Sequence, residues 1–250
     1  MLFYTQSLHP RPNTVNCAQE VSISHAMLFA PALRNAIMQH YRYPHTVIQI
    51  FCKAPIAGQV KTRLQPQLSA LQAAAVHEQL TQDTLAFVTA DAYCPVQLWC
   101  SPTPEHAFFS DLVQQYPIEL HTQCNGDLGQ RMHFALSAGI AQFGSALVIG
   151  CDCPSLTAEH LMQALDALNT GNDAVIAPTE DGGYCLIGLK QAHPEVFDAL
   201  PWSTPELMTL TRARMQSLQL NCVELPLQWD VDTYVDYLRY CALQQTIKPD

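Results

Sequence analysis

The run Ala146-Leu-Val-Ile-Gly150 carries no polar side chain and stops at Cys151-Asp152-Cys153-Pro154. A strand without polar alternation must be covered on both faces, as in a parallel sheet sandwiched between helices. Such a strand delivers Asp152 to the carboxyl edge of the sheet, where open α/β sheets bind ligands. Two more acidic turns follow the same grammar. Glu180-Asp181-Gly182-Gly183 comes after the apolar stretch 174–178, and Asp230-Val231-Asp232 after 223–227.

From Thr46 onward, strand and helix patterns alternate. Strands are expected at 46–52, 96–100, 118–121, 146–150, 174–177, 184–189 and 223–227. Helices are expected at 68–88, 104–115, 128–142, 158–168, 205–218 and 233–243, with Thr157 as an N-cap. This alternation predicts a three-layer, Rossmann-like α/β fold with a mostly parallel central sheet, forming a single domain over 45–250. Residues 1–44 read differently. They are rich in Pro, Asn, Gln and His, and are expected to form a poorly ordered extension over 1–25 and a helix over 26–42. Met27 and Met38 are alternative starts.

Composition narrows the function. The formal net charge of −10 argues against a nucleic-acid binder, which needs a basic face. No segment approaches the roughly 20 apolar residues of a membrane span, and no signal-peptide pattern opens the chain, so no stable membrane insertion is expected. The ten cysteines include no C-x-x-C pair. They read as buried free thiols rather than zinc ligands or disulfides, which implies a reducing, cytoplasmic setting.

The chemistry concentrates in four places. Lys53-Ala-Pro-Ile-Ala-Gly58-Gln-Val-Lys61-Thr-Arg63 puts three cations just past the first strand, and Gly58 allows a tight turn. Lys and Arg there can hold phosphate, or simply form a solvated loop. The spacing is not that of a Walker loop. Asp152 offers a rigid carboxylate to a hard cation such as Mg²⁺, or a helix cap. Asp230 and Asp232, two apart in an extended segment, can face one site, or one of them can cap the next helix. Gly126-Asp127-Leu128-Gly129 opens a helix whose amides favour anions. Trp202-Ser203-Thr204 can line a pocket or pack. There is no G-x-S-x-G elbow and no cysteine with a convincing catalytic partner.

Taken in order, six motifs resemble a known pattern: Lys53-Ala-Pro…Gly58…Lys61-Thr-Arg-Leu64, Gly126-Asp-Leu-Gly…Arg131, Gly150-Cys-Asp-Cys-Pro-Ser-Leu156, Glu180-Asp-Gly-Gly-Tyr184, Trp202-Ser-Thr204 and Asp230-Val-Asp-Thr233. Over about 46–243 the chain resembles the bacterial glycosyltransferases associated with radical-SAM, selenium or arsenosugar gene neighbourhoods. These belong to the nucleotide-diphospho-sugar transferase superfamily, with a GT-A-type fold. The resemblance implies that Asp152, Asp232 and Asp230 bind a divalent cation, Mg²⁺ or Mn²⁺. It implies that Lys53, Gly58, Lys61 and Arg63 cover donor phosphates, with Gly126, Asp127 and Gly129 binding the nucleotide or lying near the acceptor. Asp181, Gly182, Tyr184 and Trp202 are then expected on the acceptor side, with Asp181 as general base and Lys61 beside the reacting phosphates. Cys151 departs from the pattern, where a small residue, commonly Ser, is expected. No acidic residue stands at 234 or 235, although Asp236 is close.

The expected activity is metal-dependent transfer of a sugar from a nucleotide-sugar to a small-molecule acceptor. Two alternatives stay open. One is nucleotidyl transfer from a nucleoside triphosphate. The other is a non-catalytic nucleotide-binding protein. A cysteine-based redox role for Cys151 and Cys153 is set aside.

Overall fold

The computed structural model describes residue 38 and residues 40–247. The expected extension over 1–25, and the expected helix up to residue 37, lie outside the described residues. Residues 40–42 form a turn and bends rather than helix. The amides of Arg42 and Tyr43 donate to the carbonyls of Ala92 and Tyr93, at 2.9 and 2.7 Å. Tyr43 is buried, and its hydroxyl donates to Asp166 at 2.6 Å. Packing of the domain therefore already includes Tyr43.

The elements are β1 (Thr46–Lys53), α1 (Ala70–Thr89), β2 (Val96–Ser101), α2 (Ala107–Gln115), β3 (Glu119–Thr122), α3 (Leu128–Phe143), β4 (Ser145–Gly150), α4 (Ala158–Asn169), β5 (Ala174–Pro178), β6 (Tyr184–Leu189), α5 (Leu207–Ser217), β7 (Cys222–Glu224) and α6 (Tyr234–Ile247). They form one seven-stranded sheet in the order β3-β2-β1-β4-β6-β5-β7. Only β6 runs antiparallel to its neighbours, inserted between β4 and β5. The fold is therefore the expected mixed α/β architecture with a mostly parallel central sheet.

Period-two alternation sends successive residues to opposite faces. Ile48, Ile50, Leu98, Leu147 and Ile149 pack beneath α1, α2 and α4, against Leu85, Leu112 and Leu165. Val47, Trp99, Ala146 and Val148 pack on the other face, against Met132 and Leu136 of α3 and Met208 and Met215 of α5. Both faces of β4 are buried, so the apolar run has no polar alternation to show. A third cluster joins Leu64, the first half of α1, Trp229, Val231 and Tyr240 of α6.

The helix starts follow their caps. Thr157 accepts from the His160 amide as expected, and Ser69 and Asp127 complete capping boxes with Gln72 and Gln130. α2 begins at Ala107 rather than 104 because the His106 ring accepts from the Phe108 amide. β7 is shorter than its apolar run. Pro226 has no N–H to give, and Leu227 is 62% exposed.

Candidate active site

The carboxyl ends of β1 and β4 lie side by side, with Phe51 opposite Gly150. The chain after β4 turns through Asp152 into α4. The segment after β7 is tied against it. Ser155 Oγ accepts from the Trp229 amide at 2.8 Å and donates to the Trp229 carbonyl at 3.1 Å. The Val231 amide donates to the Asp152 carbonyl at 3.0 Å. Val231 is fully buried in the third cluster. Its neighbours Asp230 and Asp232 therefore turn the other way, towards Asp152. Carboxylate oxygens of Asp152, Asp230 and Asp232 all lie within 4.8 Å of one another.

Asp232 is left unused as a cap by a local substitution of labour. Asp236 Oδ2 accepts from the Thr233 amide at 2.7 Å and the Thr233 hydroxyl at 2.7 Å. Thr233 and Asp236 thus start α6, and Asp232 serves the cluster.

Lys61 enters this cluster from the β1 loop. Its backbone is left-handed, with φ of 47°. Its side chain is 6% exposed, and Nζ lies 2.8 Å from Asp152 Oδ2 and 3.5 Å from Asp232 Oδ1. Arg63, on the exposed rim, donates to Asp232 Oδ2 at 2.7 Å. Burial works against the Lys61 charge, but Asp152 and Asp232 outweigh it and hold the ammonium above its ordinary range. Burial works to raise the Asp152 carboxyl, and Lys61 outweighs it by charge and hydrogen bond, so Asp152 is held low. Among the described residues no cation pairs with Asp230 in the same way. Burial, then Asp152, Asp232 and Asp181, push it up to about 7. Three convergent carboxylates with surplus negative charge and oxygen donors fit a hard divalent cation.

A cleft of about 620 Å³ opens over this edge. Lys53, Lys61, Arg63, Gly126, Asp152 and Asp232 line it, so the first-strand loop and two of the clustered carboxylates share one cleft. Gln123 and Arg131 line it too. Their carriers are the β3–α3 loop and the first turn of α3; Arg131 belongs to the Gly126-Asp-Leu-Gly…Arg131 motif, whereas no sequence signal marks Gln123.

Other expected residues are placed differently. Gly58 takes φ of +84° in open space and shapes the loop without lining the cleft. Asp127 spends Oδ1 on the Gln130 amide as the cap of α3. Gly129 is required for packing, since a Cβ there would sit 2.3 Å from the Trp202 ring. Trp202 belongs to the second core cluster, while its neighbour Ser203 reaches the cleft. Gly182 lies in the β5–β6 turn against Pro205. Asp181 is exposed in the same turn, and its Oδ1 accepts from the Thr179 hydroxyl at 2.6 Å and the Gly183 amide at 3.0 Å. The Tyr184 hydroxyl is buried, its pKa raised by burial, and the ring packs with the second cluster.

The comparisons with known proteins agree with this frame. Residues 84–204 match a family model described as an uncharacterized protein conserved in bacteria (DUF2064). The fold matches the crystal structure of a candidate nucleotide-diphospho-sugar transferase from Desulfovibrio desulfuricans G20, with 30% identity and a TM-score of 0.69. That match covers 76% of this chain and 83% of the other. The fold alone is shared with 4-diphosphocytidyl-2C-methyl-D-erythritol synthase from Anaerococcus prevotii DSM 20548, at 14% identity and a TM-score of 0.55 over 80% and 99% of the two chains. It is also shared with a CMP:2-keto-3-deoxy-manno-octonic acid synthetase complexed with CTP, at 11% identity and a TM-score of 0.52 over 81% and 99%. No curated protein matches the chain. Fold and edge site together define a member of the large class of α/β transferase-like proteins. Within that class, the chain belongs to the nucleotide-diphospho-sugar transferase superfamily.

Proposed function

We propose that the protein is a metal-dependent transferase that moves a sugar from a nucleotide-sugar to a small-molecule acceptor. The observation that carries this reading is the acidic cluster of Asp152, Asp230 and Asp232, with the Lys61 ammonium against Asp152 and Asp232. Asp152, Asp230 and Asp232 would hold Mg²⁺ or Mn²⁺, which when bound offsets negative charge on the donor diphosphate and its leaving group. Lys61 and Arg63 supply fixed positive charge beside the same phosphates, worth most in a partly buried site. Lys53 extends this charge along the cleft wall. Gly126 lets the backbone approach the nucleotide. The 30% identical relative, described as a nucleotide-diphospho-sugar transferase, favours sugar transfer.

Asp181 is the proposed general base. Thr179 and Gly183 fix one of its oxygens, which orients the other for an acceptor hydroxyl. Asp181→Asn with full turnover and an unchanged fold would remove it from this role. Gly182 would shape the acceptor side. Tyr184 and Trp202 would support that side from the core rather than touch the acceptor.

A second reading is nucleotidyl transfer from a nucleoside triphosphate, favoured by two cations, Lys61 and Arg63, on a single loop. Non-catalytic nucleotide binding is the third reading. The reducing, cytoplasmic setting rests on the nine free thiols among the described residues. Among those residues no helix is long and apolar enough to cross a membrane.

The test is a thermal-shift panel of nucleotide-sugars and nucleoside triphosphates, with and without Mg²⁺ or Mn²⁺, using Asp152→Ala as control. Metal-linked stabilisation by a nucleotide-sugar, followed by turnover, supports sugar transfer. Stabilisation by a triphosphate alone supports nucleotidyl transfer. Binding without turnover against a panel of acceptors supports the non-catalytic reading.

A further inference from the structure

Behind the acidic cluster lies a second group of ligand atoms with different chemistry. Cys52 is the penultimate residue of β1, and Cys151 follows β4. Phe51 pairs with Gly150 across the parallel ladder, so Cys52 and Cys151 are the next opposed pair. His77 descends on them from α1. Cys52 is 1% exposed, and His77 and Cys151 are each 5% exposed. Their sulfur and ring nitrogen atoms all lie within 4.8 Å of one another, with Cys52 Sγ 3.8 Å from His77 Nε2. All three also line the floor of the cleft, which gives an ion a route in.

We propose that Cys52, His77 and Cys151 form a binding site for a thiophilic ion, Zn²⁺ being the natural occupant. Metal–sulfur and metal–nitrogen bonds of about 2.3 and 2.0 Å place such ligands roughly 3.5–4 Å apart, so the group needs only a small closure. Two thiols and an imidazole prefer a borderline or soft ion, whereas the neighbouring carboxylates prefer Mg²⁺ or Mn²⁺. Charge also balances. Two thiols release their protons to solvent, and the resulting thiolates neutralise the dication, so the buried assembly carries no net charge. The imidazole proton moves to Nδ1, and Nε2 exchanges its 2.9 Å contact with the Lys53 carbonyl for the metal. Lys53 opens the loop that carries Lys61, so occupancy of this site reaches the phosphate loop through one carbonyl. The ligands are 25, 74 and 99 residues apart pairwise, by subtraction of 52, 77 and 151. Strand register brings Cys52 beside Cys151, and the packing of α1 on the sheet brings His77 to them.

The site does not depend on the transferase reading, and the test keeps the two apart. The full chain, reduced and stripped of metal, is titrated with Co²⁺ in saturating Mg²⁺. The expected result is one bound Co²⁺ per chain with thiolate-to-cobalt charge transfer, displaced by Zn²⁺. Cys52→Ser and Cys151→Ser should each lose that band and bind more than about tenfold more weakly. Asp232→Asn should keep the band while losing Mg²⁺-linked nucleotide stabilisation. His77→Asn keeps both thiols should a cysteine variant misfold, and it should weaken binding on a similar scale. A wild-type complex with no thiolate band overturns the proposal. So does a band unchanged in both cysteine variants, or a Cys52–Cys151 disulfide in protein purified without reductant.

Discussion

Lys61 Nζ sits 2.8 Å from Asp152 Oδ2, so a loop residue in a left-handed conformation delivers a cation to the carboxylate at the tip of β4. The ammonium takes up part of the position a divalent ion would need. Lys61→Met should therefore raise affinity for Mg²⁺ while lowering turnover by about 10²-fold, the scale of losing one preorganised charge at a reacting phosphate. Without metal the variant should melt lower, by about 1–2 kcal/mol after discounting for the partial exposure of Asp152. Isothermal titration and melting curves with and without Mg²⁺ check both signs. Unchanged metal affinity would rule out the competition.

Burial, with Asp152, Asp232 and Asp181 nearby, pushes the Asp230 carboxyl up to about 7 from an ordinary 3.8. Its folded pKa is raised, so the metal-free folded state holds a proton that the unfolded chain has lost. Stability should fall as pH rises from about 4 to 7. Asp230→Asn should remove that loss and raise the melting temperature at pH 8 in chelator. Metal binding should release close to one proton below pH 7 and tighten towards pH 8. Titration in buffers of different ionisation enthalpy counts the proton.

Ser155 ties the Trp229 backbone to the Asp152 turn through two hydrogen bonds. Ser155→Ala should cost about 1–2 kcal/mol, because it leaves buried backbone groups without partners. Metal affinity should fall several-fold as Asp230 and Asp232 drift from Asp152. A loss of stability with unaltered metal affinity would show that Val231 alone holds the register.

Three glycines should separate by mechanism. Gly129→Ala forces a Cβ to 2.3 Å from the Trp202 ring and 2.8 Å from the Phe197 carbonyl, and should cost about 1–3 kcal/mol. Gly182→Ala meets the Pro205 backbone at 2.2 Å with φ of +89°, and should cost more. Gly58→Ala has open space and pays only for φ of +84°, about 1 kcal/mol. Urea midpoints give the ranking, and an equal loss in all three would defeat it.

Much of the site's outline was legible because its parts are local patterns. Asp152 follows a buried strand, and Asp230 and Asp232 share the parity of an extended segment. Lys61 and Arg63 crowd one short loop. Asp127 and Gly129 were harder to read. Asp127 also caps α3 and Gly129 also packs against Trp202, duties that show only once Gln130 and Trp202 are in place. Trp202 and Tyr184 pack against the second core cluster, a placement their short motifs do not encode.

Sequence by itself determined the alternation of strands and helices, the burial of β4 on both faces, and the order in which acidic turns reach the sheet's carboxyl edge. These follow from side-chain periodicity and turn chemistry, which act over a few residues. Tertiary structure alone decided that β6 inserts antiparallel between β4 and β5, that Lys61 lies between Asp152 and Asp232, and that Cys52, His77 and Cys151 converge. The last two relations join residues 25 to 171 positions apart. They are set by strand register and by burial of residues such as Val231, which no local pattern encodes.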